Sequence, residues 1–228
     1  MVADSIIYHP TLSKLLKFLD STPKREKALR LVTYVSRLLA YYLHRKGYSG
    51  ELVQKFVDLK QHGTFIRKAL RLFKPLAHLQ AASQAYDNKV MDRVLSRSTV
   101  VRNLGYAGYL GLDTVTFFKM LGLVDKKKFP KVATWAARCW GVALAAGMVN
   151  SFRSYHISAA KLGSVEEKVD IEALEQKQFQ AKRKLAWDAL DMFVCLNSLG
   201  YLHFSEGDVG FAGTLTSLMG LRDLWAST

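Results

Sequence analysis

Apolar residues recur along this chain at three- and four-residue intervals, and that spacing predicts helices from end to end. Residues 11–20 put Leu12, Leu15, Leu16 and Leu19 on one stripe. Thr22 reads as an N-cap, with Pro23 at the first helical position. A second helix follows. Leu31, Tyr34, Val35, Leu38 and Tyr42 form its apolar stripe, and Arg25, Lys27, Arg30 and Arg37 line the rest. Residues 47–50 read as a loop, Ser49 as the cap of a third helix reaching His62, and Gly63 as an interruption. Residues 83–98 stay helical and polar, the pattern of a solvated connector. Ser164-Val165-Glu166-Glu167 has the form of a capping box opening another long helix, acidic at its start and basic later.

The most informative stretch is 65–79, FIRKALRLFKPLAHL. Wound as a helix, it gathers Phe65, Ile66, Ala69, Leu70, Leu72, Phe73, Leu76, Ala77 and Leu79 on one half of the wheel. Arg67, Lys68, Arg71, Lys74 and His78 take the other half, with no acid among them. A solvated helix face normally mixes signs and gains i,i+4 pairs. A wide apolar face opposite an all-basic one describes a helix lying in the surface of an anionic phospholipid membrane. Each Lys or Arg near such a surface contributes about 1 kcal/mol, so the four together could contribute about 4 kcal/mol. Pro75, on the polar face, predicts a mid-helix kink.

The second half changes texture. Four uncharged runs, 103–112, 139–152, 192–205 and 209–221, are each 10–14 residues long, short of the ~20 needed to span a hydrocarbon core. Core helices of a soluble bundle and imperfect spans of a membrane bundle both fit them. Gly105, Gly108 and Gly111 fall every third residue, as do Gly207, Gly210 and Gly213. Small residues so spaced let helix backbones approach closely, as they do in lipid. The second set also fits a loop after Glu206. Extending the runs brings in Asp113, Lys119, Arg138 and Asp191, which could line a hydrated path through a bundle, pair with one another, or lie at the membrane surface. Residues 125–131, DKKKFPK, form a basic loop, on the cytosolic side if its neighbours span a membrane.

Charge narrows the partners. Lys and Arg number 33 against 19 Asp and Glu, a net +14 that suits nucleic acid, an anionic membrane or acidic proteins. The aromatic residues sit mostly on apolar stripes rather than as stacking platforms beside exposed cations, and no nucleic-acid motif appears, so nucleic acid is not expected. No Gly-rich phosphate loop, HExxH, GxSxG or acid–histidine cluster appears, so neither an enzyme nor a bound cofactor or metal is expected. Cys139 and Cys195 sit singly in apolar runs and read as buried, reduced side chains. The first residues lack the form of a secretory signal. The division expected is a helical membrane-surface region over 1–98 and an apolar helical region, embedded in or packed on the membrane, over 99–228.

An ordered set of residues runs through the chain: Tyr8-His9-Pro10, Lys17-Phe18-Leu19-Asp20, Arg25-Glu26-Lys27, Arg30-Leu31 with Tyr34 and Arg37-Leu38, Arg102-Asn103-Leu104-Gly105-Tyr106 with Asp113, and a glycine-rich ending closing on Leu221 and Trp225. That set resembles the peroxin-eleven family of peroxisomal membrane proteins, and looks most like its fungal members. The resemblance implies an all-α protein of the peroxisomal membrane that drives elongation, proliferation and division. It implies self-association, a bilayer-bending amphipathic helix at the segment holding residues 65–79, and recruitment of a tail-anchored fission adaptor and a dynamin-related GTPase. A pore for small metabolites is the alternative role the family suggests.

Overall fold

In the computed structural model, which describes residues 8–125, 127–163 and 168–228, every regular element is a helix. There are eight among the described residues: α1 Pro10–Asp20, α2 Thr22–Arg45, α3 Gly50–Ala69, α4 Lys74–Asp87, α5 Arg93–Met120, α6 Val132–Leu162, α7 Lys168–Ser198 and α8 Glu206–Ala226. The capping box at 164–167 and Lys126 of the basic loop lie outside the described residues.

The chain folds as two compact units, and the expected boundary near residue 98 falls inside α5. One unit joins residues 1–71 to 204–228; the other is 72–203. In the first, α2 is the central helix, with α3 and α8 packed against it and α1 leaning on it more lightly. The C-terminal helix is thus part of the N-terminal unit. Its glycines explain the fit. Gly207, Gly210 and Gly213 lie in helix, not loop, and face Tyr41, Leu38 and Tyr34 of α2. A Cβ on Gly210 would sit 2.8 Å from the Leu38 nitrogen, and one on Gly213 would enter the Tyr34 ring. Polar contacts fix the register: the Arg30 guanidinium donates to Thr216 Oγ1 at 2.9 Å, and Arg37 donates twice to Glu206 at 2.6 and 2.7 Å.

Gly63 does not interrupt α3. It is buried where α3 crosses α2, a Cβ there lying 2.6 Å from Thr33 Oγ1, so the glycine marks close approach rather than a helix end. Helix α2 begins at Thr22 with Ser21 as its cap, one residue before the expected cap. Ser49 does cap α3, accepting from the Leu52 N–H.

The second unit is a sequential stack in which α5 packs on α4, α6 on α5 and α7 on α6. Gly105 meets Ala143 and Gly108 meets Cys139, which brings α5 and α6 together, whereas Gly111 faces open space. The polar connector expected over residues 83–98 is instead a helix end, a turn and a new helix. Asp92 caps α5 at the N–H groups of Val94 and Leu95 and pairs with Arg153 at 2.8 Å. Asn150 of α6 donates to Ser98, Thr99 and the Leu95 carbonyl. Gly147 of α6 opens a lane through the stack: Arg102 of α5 reaches Asp188 of α7 at 3.6 Å where a Gly147 Cβ would lie 2.6 Å from that carboxylate.

A candidate membrane-contact surface

Stretch 65–79 is not one helix. Helix α3 ends at Ala69, residues 70–73 form a turn, and Pro75 sits in the first turn of α4. The physical reason is the proline. It supplies no N–H, its ring would strike the Arg71 carbonyl four residues back, and it disfavours helical backbone at Lys74. At the start of a helix, where the N–H is unpaired anyway, it costs nothing comparable. The expected kink is therefore a break.

The break divides the expected basic face. Arg67 turns into the first unit, its guanidinium 3.0 Å from Glu26, with side-chain exposures of 12% and 4%. Burial lowers the Arg67 pKa and the Glu26 charge opposes that shift. His78 turns into the second unit, stacked on Tyr106 with its Nδ1 3.0 Å from Asn103 Oδ1. Neither belongs to a solvated cationic face, which corrects the expectation for both. Lys68, Arg71 and Lys74 are half-buried.

The apolar side behaves differently. Phe65, Ala69, Leu70 and Leu72 are half-buried, but Ile66, Phe73, Leu76, Ala77 and Leu79 are exposed, Phe73 at 81% and Leu76 at 65%. Three large apolar side chains within seven residues, Phe73, Leu76 and Leu79, thus face outward in the second unit. A water-facing helix start would carry polar residues there.

Helix α6 adds a second apolar surface. It has 31 residues and is, among the described residues, the one helix long and apolar enough to cross a membrane. At 1.5 Å per residue it spans about 46 Å, against about 30 Å of hydrocarbon. Only 28% of its most apolar window is buried, where the core helix of a soluble protein would be mostly covered. Trp135, Val142, Val149 and Phe152 form an exposed stripe at seven- and three-residue steps. The uncharged run 139–152 gave half of this helix; the rest lies beyond Arg138 and Arg153, which is why the run looked too short.

The four charged residues considered for a hydrated path are not alike. Asp113 and Asp191 are buried, Asp191 accepting from the Trp187 indole at 3.2 Å. Lys119 is half-buried and donates to the Phe129 carbonyl at 3.0 Å. Arg138 is exposed and lies over the Trp135 ring at 4.8 Å. The sequence reading did not single out Arg102, Lys184 and Asp188 as partners; they are the charges joined through the Gly147 lane. Their i,i+4 spacing on α7 (Lys184, Asp188) was legible; the glycine between helices was not. No group of three or more His, Cys, Asp or Glu able to hold a metal ion occurs among the described residues.

An all-helical chain with phenylalanine, leucine and tryptophan turned outward on α4 and α6 is a membrane-associated helical protein. The model of the PEX11 family, peroxisomal biogenesis factor 11, matches residues 12–225, and the chain belongs to that family. It is 36% identical to peroxisomal membrane protein PMP27 of Saccharomyces cerevisiae and 33% identical to PMP30A of Candida boidinii, with 100% of this chain covered in both and 100% and 99% of the relatives. Peroxisomal biogenesis factor 11 of Schizosaccharomyces pombe is 25% identical over 96% of this chain and 97% of its own. No solved structure matches the chain. It is a peroxisomal membrane protein of a family involved in peroxisome proliferation.

Proposed function

We propose that the chain remodels the peroxisomal membrane without catalysis, elongating it so that peroxisomes proliferate and divide. The observation that carries this reading is the exposed apolar start of α4, Phe73, Leu76 and Leu79. Inserted in one leaflet, these side chains act as a wedge that expands that leaflet and favours curvature. The break at residues 70–73 gives the wedge a fixed helical start, set by Pro75, in place of a long surface helix. Half-buried Lys74 lies beside it in the same unit, where a cation draws the segment to anionic lipid. Self-association concentrates the wedges, and a tail-anchored adaptor and a dynamin-related GTPase then sever the elongated membrane.

The test is replacement of the chain in cells by Leu76→Glu. Leu76 is 65% exposed, so the fold should tolerate a carboxylate there. Peroxisomes should become fewer and fail to elongate, while the variant still reaches the peroxisomal membrane. Normal number and shape with Leu76→Glu at wild-type abundance would refute the wedge.

A pore for small metabolites is the second reading, and the buried carboxylates Asp113, Asp188 and Asp191 with Arg102 in the second unit favour it. Charges inside a membrane bundle face its interior, where they pair with one another or line solute paths. Solute flux through bilayers holding the chain, lost in Asp113→Asn, would support it; flux unaffected by that change would count against it.

A further inference from the structure

Helix α1 is an amphipathic helix that the membrane-remodelling reading above does not use. Its one buried side chain is Phe18, which packs on the Trp225 ring of α8 at 5.6 Å. Lys14 lies over the same indole at 4.9 Å. Those two residues occupy one side of the helix and anchor it to its own unit. The leucines point elsewhere: Leu15, Leu16 and Leu19 are 40%, 60% and 41% exposed, and Leu12 is half-buried. Four leucines in eight residues are therefore gathered on one stripe and then left largely uncovered.

We infer that the leucine stripe of α1 docks on the anionic surface of the bilayer, as a second insertion point besides α4. The inference rests on the membrane reading of the chain and deepens it. Size and charge select the occupant. Helix α1 has 11 residues, so it is about 16 Å long and about 10 Å wide. A specific protein partner needs about 800 Å² on each side, several times what this stripe offers. A bilayer needs no complementary patch, only apolar side chains to admit. Lys14 and Lys24 are held over Trp225 and Phe18 on the anchored side, which leaves Lys17 and Arg25 against Asp20 as the other charges near the stripe, a cationic balance. Lys17 stands across the helix from the leucines, the arrangement of a helix lying in an anionic headgroup layer. Phe18 keeps the helix tied to α8 while the leucines insert, so the first unit gains a lipid contact of its own.

The test uses the full chain with Cys139→Ala and Cys195→Ala, carrying one new cysteine at Leu16, Ser13 or Phe73 labelled with an environment-sensitive fluorophore. Each variant is reconstituted in phosphatidylcholine vesicles with and without phosphatidylinositol and with doxyl-labelled lipid as quencher. A thermal melt beside the unlabelled chain screens out misfolded variants. The label at Leu16 should shift to the blue and lose most of its emission to doxyl lipid, more so with phosphatidylinositol, while the label at Ser13 stays bright. A label at Leu16 that remains in water while the one at Phe73 is quenched would overturn the role of α1 and leave α4 intact. Both labels in water would overturn the membrane wedge as well. Self-quenching at Leu16 without any effect of doxyl lipid would mean a second copy covers the stripe, and would also overturn the inference.

Discussion

Gly210→Ala and Gly111→Ala are the same chemical change in two long helices, and they should move stability in opposite directions. In a helix interior, alanine is favoured over glycine by about 0.8–1 kcal/mol. Gly111 has nothing within 4 Å of where its Cβ would be, so Gly111→Ala keeps that gain. At Gly210 the added methyl would lie 2.8 Å from the Leu38 nitrogen, 3.0 Å from its Cα and 3.1 Å from its Cβ. Two of those atoms are backbone, so α8 must move off α2 as a body. Overpacking of this kind costs about 1–3 kcal/mol, and the shift also strains the Arg30–Thr216 hydrogen bond one and a half turns further on. The net is a loss of up to about 2 kcal/mol at Gly210 and a gain of about 1 kcal/mol at Gly111. For a chain of this size, 1 kcal/mol is about 2–4 °C. Far-ultraviolet circular dichroism melts of the detergent-solubilised chain should show Gly111→Ala above wild type and Gly210→Ala below it. Equal shifts, or a Gly210→Ala chain that melts above wild type, would refute the close packing of α8 on α2.

Glu26→Ala should cost about 3 kcal/mol or more, read by denaturant unfolding, because it strands Arg67 as an uncompensated buried charge; a smaller loss than that of an exposed control such as Glu51→Ala would contradict the pairing. Acid should unfold the chain in a defined window. The hydrogen bonds from Arg37 hold the Glu206 carboxyl below its usual range, and those from Arg153 bring Asp92 down to about 2. Both folded values lie below the unfolded ones, so their stabilisation is complete above about pH 5 and is lost as pH falls through the folded values, about 2 for Asp92. Melting temperature should hold from pH 7 to 5 and drop below about pH 4, with a smaller drop in Arg37→Gln. A maleimide should label half-exposed Cys139 well before Cys195, which is fully covered and donates to the Ala137 carbonyl; equal rates would mean that α6 and α7 part readily.

Much of the fold was legible in the sequence because helix periodicity is a local signal. The stripes of α1 and α2, the Ser49 cap and the all-α class follow from residues within a few positions of one another. What was not legible depends on distant partners. Gly63 has the look of a breaker, but it is buried because Thr33, thirty residues earlier, needs the space. Gly207–Gly210–Gly213 fits a loop equally well until α2 is seen across from it. The two-unit division was hidden for the same reason: α8 returns to a helix nearly two hundred residues upstream. In the candidate surface, the wheel of residues 65–79 identified the exposed apolar side chains but not the fate of the basic ones. Nothing local says that Arg67 pairs with Glu26 or that His78 stacks on Tyr106. Pro75 did carry the needed signal. The rule that a proline opens a helix more readily than it kinks one would have split the segment where α4 starts.

The most direct test of membrane remodelling is to reconstitute the full chain, and the full chain with Leu76→Glu, in giant vesicles containing anionic lipid and to image their shape at matched protein density. Wild-type chain should draw tubules from the vesicles, and Leu76→Glu, with unchanged helix content and melting temperature, should leave them round. Tubules of equal number with the folded Leu76→Glu chain would show that the start of α4 is not the wedge.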